Sequence, residues 1–127
     1  MKSETILLAT KVWQNILAEA QATTSAEPVM ESYLKSTITN HDNLGSALSF
    51  HLSQKLASAS FPAAMIRTIM DDTFKDPAIV DQAARDIQAT MDRDSACKLY
   101  SSPFLYFKGF LSLQAYRVAH QLWNQDR

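Results

Sequence analysis

Glycine is almost missing from this chain. Among 127 residues only Gly45 and Gly109 occur, where average usage of about 7% would place roughly nine. Hairpins, bulges and phosphate-binding turns each need residues free of a Cβ. Sandwiches, barrels and dinucleotide-binding sheets are therefore close to excluded. Apolar residues at 46% and charged residues at 20% supply a core and rule out a disordered tail. A chain this long forms one domain and buries about two-thirds of its unfolded surface without disulfide staples.

What remains is helix, and the apolar residues recur at helical spacing. Ile6, Ala9, Trp13, Ile16, Leu17 and Ala20 make one stripe that ends at a turn over Thr23, Thr24 and Ser25. Thr24 with Glu27 reads as a capping box, and Pro28 is tolerable in the first turn that follows. A second helix carries Val29, Tyr33, Leu34 and Ile38 and stops near Asn40. Asn40 or Asp42 caps a third, with Leu44, Leu48, Leu52 and Leu56 stacked one turn apart. After a short loop over 57–60, helices start near 62, 77 and 103. There Ser60, Asp76 and Ser102 each precede a proline by one or two residues, joining a side-chain acceptor to a ring already set at helical φ.

The helix after Asp76 should bury Ile79, Val80, Ala83, Ala84, Ile87 and Met91, and residues 92–101 read as an irregular polar stretch. From Pro103 onward one long helix is expected. Phe104, Phe107, Leu111, Val118 and Leu122 form its main stripe, but Leu105, Tyr106, Phe110, Leu113, Tyr116, Ala119 and Trp123 occupy the other sides. A helix apolar nearly all round is covered on several sides, which calls for another subunit or a further domain. The pattern stops at Asn124 to Arg127 without a glycine or proline, as a frayed terminus or a chain cut short would. The fold class is all-α, a compact multi-helix domain with a long C-terminal helix.

The chemistry written into the chain is sparse. Twelve basic and thirteen acidic residues leave a net charge of −1 with no basic cluster, so nucleic acid is not an expected partner. No apolar run reaches the ~20 residues needed to span a bilayer, no signal peptide is recognisable, and the single cysteine, Cys97, suits a reducing cytoplasm. Cys97 has no visible base and reads as a bystander. His41, His51 and His120 lack a second ligand at helical spacing and read as surface or core residues, so no metal site is expected. Seven of the thirteen acids fall between Asp71 and Asp94. Such a run is ordinarily a solvated face, yet Asp92-Arg93-Asp94 sits in an expected loop, where binding residues concentrate. A carboxylate there suits an ammonium group of a substrate.

Three stretches then carry a resemblance: 40–57 (NHDNLGSALSFHLSQKLA), 86–94 (DIQATMDRD) and 101–127, which contains Tyr106-x-Lys108-Gly109-Phe110. In order and spacing they resemble the N-terminal domain of bacterial serine acetyltransferase, over essentially the whole of 1–127. The resemblance implies an enzyme of cysteine biosynthesis that moves an acetyl group from acetyl-CoA to the hydroxyl of L-serine. It implies that a left-handed β-helix of hexapeptide repeats, absent from this chain, holds the catalytic histidine and the acetyl-CoA groove. No catalytic, cofactor-binding or metal residue is then expected here, and the chain alone should be inactive. Two trimers associating into a hexamer, and O-acetylserine sulfhydrylase bound through a C-terminal tail outside this chain, are the implied partners, in the cytoplasm.

One serine-binding residue of the family falls in this region, the aspartate of an Arg-Asp-Pro segment. Asp94 of Arg93-Asp94-Ser95 matches it, with serine in place of the usual proline, and Leu111 replaces a frequent histidine. Asp94 is thus the expected L-serine contact. The competing expectation is a free-standing helical interaction protein that keeps the fold without the enzyme. The isolated domain could be a dimer, or a monomer with an exposed apolar patch.

Overall fold

The computed structural model describes residues 2–125, with side chains from Leu8 onward. The side chain of Ile6, and Asp126 and Arg127, lie outside the described residues. Among those described, helices account for nearly all regular structure and no strand forms. They are α1 (Lys2–Ala26), α2 (Glu31–Leu34), α3 (Leu44–Leu56), α4 (Ala63–Phe74), α5 (Pro77–Arg93), α6 (Ser101–Tyr106) and α7 (Lys108–Asn124). A 3₁₀ turn at Pro28–Met30 leads into α2, and a π-helical turn at Lys35–Thr39 leaves it. The pairs α3 with α4 and α1 with α5 make the main packing layers.

One core joins them. α1 contributes Val12, Trp13, Ile16 and Ala20, α3 contributes Leu44, Leu48 and Leu52, and α5 contributes Ala83, Ala84 and Ile87. Each set repeats at three- or four-residue steps, as one buried face of a helix must. Around α2 the buried side chains are Leu34, Thr37 and Ile38, whereas Val29 is 87% exposed and Tyr33 also faces out. Leu56, at the end of α3, is exposed as well.

Several helix ends differ from the sequence reading, each for a physical reason. α1 runs through Thr24 to Ala26, and Glu27, not Thr24, precedes the next turn without a side-chain cap. The third helix is capped by Asn43, whose Oδ1 accepts the Ser46 N–H at 2.9 Å. The five-residue π turn displaces this start beyond Asn40 and Asp42. Asp76 caps α5 as expected, accepting the Ala78 N–H at 2.9 Å ahead of Pro77. Ser60 does not cap α4, because Pro62 itself occupies the capping position.

The long last helix is two. α6 stops at Tyr106, Phe107 turns extended at φ −84° and ψ 109°, and α7 begins at Lys108. In one straight helix Leu105 and Phe110 would point about 140° apart and Phe104 and Phe110 about 120°. The break lets Phe104, Leu105 and Phe110 all enter the same core. His51 fills it: its Nε2 lies 3.1 Å from the Leu105 carbonyl oxygen, and its ring stacks on Phe104 at 5.3 Å. A carbonyl can only accept, so Nε2 carries the proton. Burial pushes the His51 pKa below its ordinary 6.5, with Lys55 acting in the same direction and the Leu105 hydrogen bond opposing.

A polar clasp fixes α7 against α5. Asp86 Oδ2 accepts from Gln114 Nε2 and from Arg117 Nη2, both at 2.8 Å, and Arg117 Nη1 donates to Gln82 Oε1 at 2.7 Å. Gln114 is fully buried, and its amide gains in Asp86 the acceptor that such burial demands. The clasp faces one side of α7 inward and leaves Leu113, Tyr116 and Trp123 exposed on the other.

Candidate functional site: the acidic turn after α5

α5 ends where its apolar face does. Ala83, Ala84 and Ile87 are buried, Met91 is half-buried, and Asp92, Arg93 and Asp94 emerge exposed. Asp94 is the residue just past the helix, with its N–H on the Thr90 carbonyl at 3.0 Å and its backbone extended at φ −102°, ψ 103°. Its carbonyl accepts the Cys97 N–H at 3.0 Å, and its Oδ1 accepts the Ala96 N–H at 2.9 Å. Residues 94–97 thus form a four-residue turn in which the aspartate side chain mimics a backbone acceptor. One carboxylate oxygen orders the turn, and the side chain stays open to solvent.

Cys97 closes the turn from beneath. It is buried, its Sγ 3.5 Å from Met91 Sδ and 3.6 Å from the Leu99 carbonyl. Burial pushes the thiol pKa up, the Leu99 carbonyl works against that, and the charges of Asp94 and Glu19 add to the rise. A thiol held protonated is a packing group and a poor nucleophile.

The far end of the loop is anchored by a residue the sequence reading passed over. Glu19 of α1 accepts the N–H of Tyr100 through Oε2 at 3.0 Å and that of Ser101 through Oε1 at 2.8 Å. These are backbone donors at the start of α6 that have no intrahelical partner, so Ser102 is not needed as the cap. Tyr100 also donates its hydroxyl to Gln88 Oε1 at 3.1 Å, and Gln88 Nε2 donates to Asp92 Oδ1 at 3.0 Å. A carboxylate at position 19, next to the buried Ala20, gives no sign in sequence of a partner more than eighty residues away.

The three histidines are dispersed. His51 sits in the core, His41 bridges Ser46 Oγ at 3.0 Å and the Ser36 carbonyl at 2.8 Å, and exposed His120 stacks on Tyr116. Among the described residues no group of three or more His, Cys, Asp or Glu could hold a metal, and no helix is long and apolar enough to cross a membrane. A concavity of about 820 Å³ lies at the other end of α5, between Trp13, Leu17, Asn43, Gly45, Phe74 and Val80. Asp94, the expected serine contact, does not line it.

The family described as "Serine acetyltransferase, N-terminal" matches residues 12–115, a span that includes Glu19, the acidic turn and the first turns of α7. A serine acetyltransferase of Salmonella typhimurium is 50% identical over 117 residues, which is 91% of this chain and 43% of that protein. The chain therefore spans less than half the length of that relative. A serine acetyltransferase solved in complex with cysteine superposes with a TM-score of 0.90 at 47% identity, over 93% of this chain and 49% of the other. The soybean serine acetyltransferase complexed with serine gives 0.90 at 42% identity, over 94% and 50%.

Proposed function

Because this chain belongs to the serine acetyltransferase family, we propose that it is the N-terminal helical domain of a serine O-acetyltransferase. Its two tasks are to supply Asp94 to the L-serine site and to provide surface for assembly of the enzyme. The reaction moves the acetyl group of acetyl-CoA to the serine hydroxyl, giving O-acetyl-L-serine and CoA for cysteine synthesis in the cytoplasm. The acetyl-CoA groove and the base that takes the hydroxyl proton belong to a hexapeptide-repeat domain beyond residues 1–127.

The observation that carries this reading is the Asp94 turn. It presents a solvent-facing carboxylate from a backbone tied at one end to α5 and at the other, through Tyr100 and Ser101, to Glu19. A carboxylate accepts hydrogen bonds and attracts an ammonium group. The relatives solved with serine and with cysteine hold ligands that share this group. Held at the ammonium, a serine has one fewer way to turn, and its hydroxyl is aimed at the acetyl donor. Orientation of this kind is a large part of the rate advantage of a two-substrate enzyme.

Homo-oligomerisation, as a hexamer made of two trimers, is the assembly proposed. O-acetylserine sulfhydrylase is the second partner, reached by a tail outside this sequence. The test is a chimera in which residues 1–127 replace the matching segment of the Salmonella relative. The proposal expects serine-dependent CoA release from the chimera and none from the 127-residue chain alone. Activity of the chain by itself, or an assembled chimera that binds acetyl-CoA but never turns over serine, would contradict it.

A further inference from the structure

The indole of Trp13 is a buried donor with nothing to donate to. Trp13 is 5% exposed, and among the described residues its Nε1 meets no hydrogen-bond partner. Asp81 Oδ1, Gln114 Oε1 and Arg117 Nε are buried without a partner as well. Each of those belongs to a side chain already bonded through another atom: Asp81 to Arg85, Gln114 to Asp86, and Arg117 to Gln82 and Asp86. Tryptophan carries a single polar atom, so the Trp13 side chain is left with no hydrogen bond at all. A buried N–H without an acceptor is costly and uncommon in a native fold.

Trp13 lines the concavity at the start of α5. Leu17, Phe74, Pro77 and Val80 add apolar surface to its wall, and its volume of about 820 Å³ is that of a small-molecule pocket. Three charged residues border it, Asp42, Asp71 and Lys75. Lys75 Nζ is tied to Asp72 at 2.9 Å. Asp71 Oδ1 accepts from Ser49 Oγ at 2.5 Å, with Arg67 Nε 3.6 Å away. Asp42 is exposed and, among the described residues, forms no ion pair. The cavity thus combines an apolar wall, one unsatisfied N–H and one carboxylate without a counter-ion.

We infer that this concavity is a binding site for a small aromatic amine that carries a carbonyl group. The ring packs against Trp13 and Phe74, whose own rings favour an aromatic neighbour. The carbonyl oxygen accepts the Trp13 N–H, and the ammonium group faces Asp42. Seating the ligand turns the indole N–H toward the cavity, where it gains the acceptor that the fold does not supply. A pure hydrocarbon would leave that donor unpaired. An anion would meet Asp42 and Asp71 while the nearby lysine is already engaged by Asp72. The site lies at the opposite end of α5 from Asp94, and it does not depend on the function proposed above.

The probe is N-benzoylethylenediamine, followed on the 127-residue chain through the indole N–H resonance of Trp13 in proton–nitrogen correlation spectra. Trp123→Phe leaves Trp13 as the one tryptophan and assigns that resonance. Two compounds of similar size serve as comparisons. Phenylbutylamine keeps the ring and the amine but lacks the carbonyl, and hippurate has a carboxylate in place of the ammonium group. Titration to about 20 mM, where a ligand this small still registers, should move the Trp13 resonance downfield and saturably with the benzoyl amine. Phenylbutylamine and hippurate should each bind about fivefold more weakly, and phenylbutylamine without the downfield shift. Trp13→Phe should erase the preference over phenylbutylamine, and Asp42→Asn the preference over hippurate, both read by calorimetry with helix content retained. Should Trp13→Phe fail to fold, the comparison compounds and the exposed Asp42→Asn carry the test. No saturable binding of the benzoyl amine, no preference for it over either comparison compound, or a preference over hippurate that survives Asp42→Asn overturns the site.

Discussion

The carboxylate of Glu19 receives the backbone N–H of Ser101 at 2.8 Å, so a side chain on α1 caps the N-terminus of α6. With its second oxygen on Tyr100 at 3.0 Å, one residue supplies two of the acceptors that the start of a helix lacks. It also pins the end of the loop that begins at Asp94. Glu19→Gln keeps the size but offers one acceptor oxygen in place of two. Loss of a cap to a charged acceptor predicts a destabilisation of about 1–2 kcal/mol, a fall of several degrees in Tm. Calorimetry of the two proteins checks it. In the chimera the same change should raise the KM for serine, because the loop that holds Asp94 loses its far anchor.

Packing between α3 and the α4–α5 corner depends on the absence of one methyl group. Gly45 faces the Phe74 carbonyl oxygen and Val80 Cγ2 at distances that an added Cβ would bring to 2.6 Å and 3.2 Å. Gly45→Ala must push helix backbone apart, and overpacking of this kind costs about 1–3 kcal/mol. Gly109→Ala meets open space and should stabilise the monomer by roughly 0.5–1 kcal/mol. Denaturant midpoints of the two variants at low protein concentration should therefore move in opposite directions.

His51 makes stability depend on pH. Its folded pKa is depressed by burial, so near and below its ordinary 6.5 the unfolded chain binds the extra proton more readily than the folded one. Stability therefore rises with pH in that window and is lost as pH falls from about 6.5 toward the depressed folded value. A protonated ring would keep its bond to the Leu105 carbonyl but place a charge beside Phe104 in the core. His51→Gln retains an N–H donor and does not titrate. Its Tm should fall less than that of the parent between about pH 7.5 and about pH 5.5, measured by circular dichroism.

Ser95 occupies the second position of the Asp94–Cys97 turn, where proline fits the φ of most such turns. Asp94 before it is already extended at φ −102° and ψ 103°, the conformation that a following proline imposes. Ser95→Pro should stabilise the chain by about 0.4–1 kcal/mol through the unfolded state and lower the serine KM of the chimera. An unfolding midpoint below that of the parent would mean that the turn is not shaped as described.

Local chemistry explains which parts of this fold could be read from the sequence. The start of α5 was legible because Asp76 and Pro77 act within one turn of each other. The Leu44, Leu48, Leu52 repeat was legible because one face of α3 is buried along nearly its whole length. Asp94 fell in a loop because the apolar repeat of α5 runs out at Met91. The features that escaped were made by distant partners. The break at Phe107 is compensated by His51 on another helix, α6 begins where Glu19 of α1 caps it, and Val29 lies outside the core because a 3₁₀ turn and a π turn bracket α2. Periodicity carries no sign of any of these.

The central claim is that Asp94 reaches the substrate ammonium, and steady-state kinetics of the chimera with Asp94→Asn tests it most directly. Asparagine keeps an oxygen for the Ala96 N–H, so the turn survives while the charge is lost. A charge-assisted hydrogen bond contributes roughly 1.5–3 kcal/mol, which predicts a serine kcat/KM lower by about ten- to a hundredfold with the KM for acetyl-CoA unchanged. Unchanged serine kinetics in Asp94→Asn, or equal losses toward both substrates, would contradict the account.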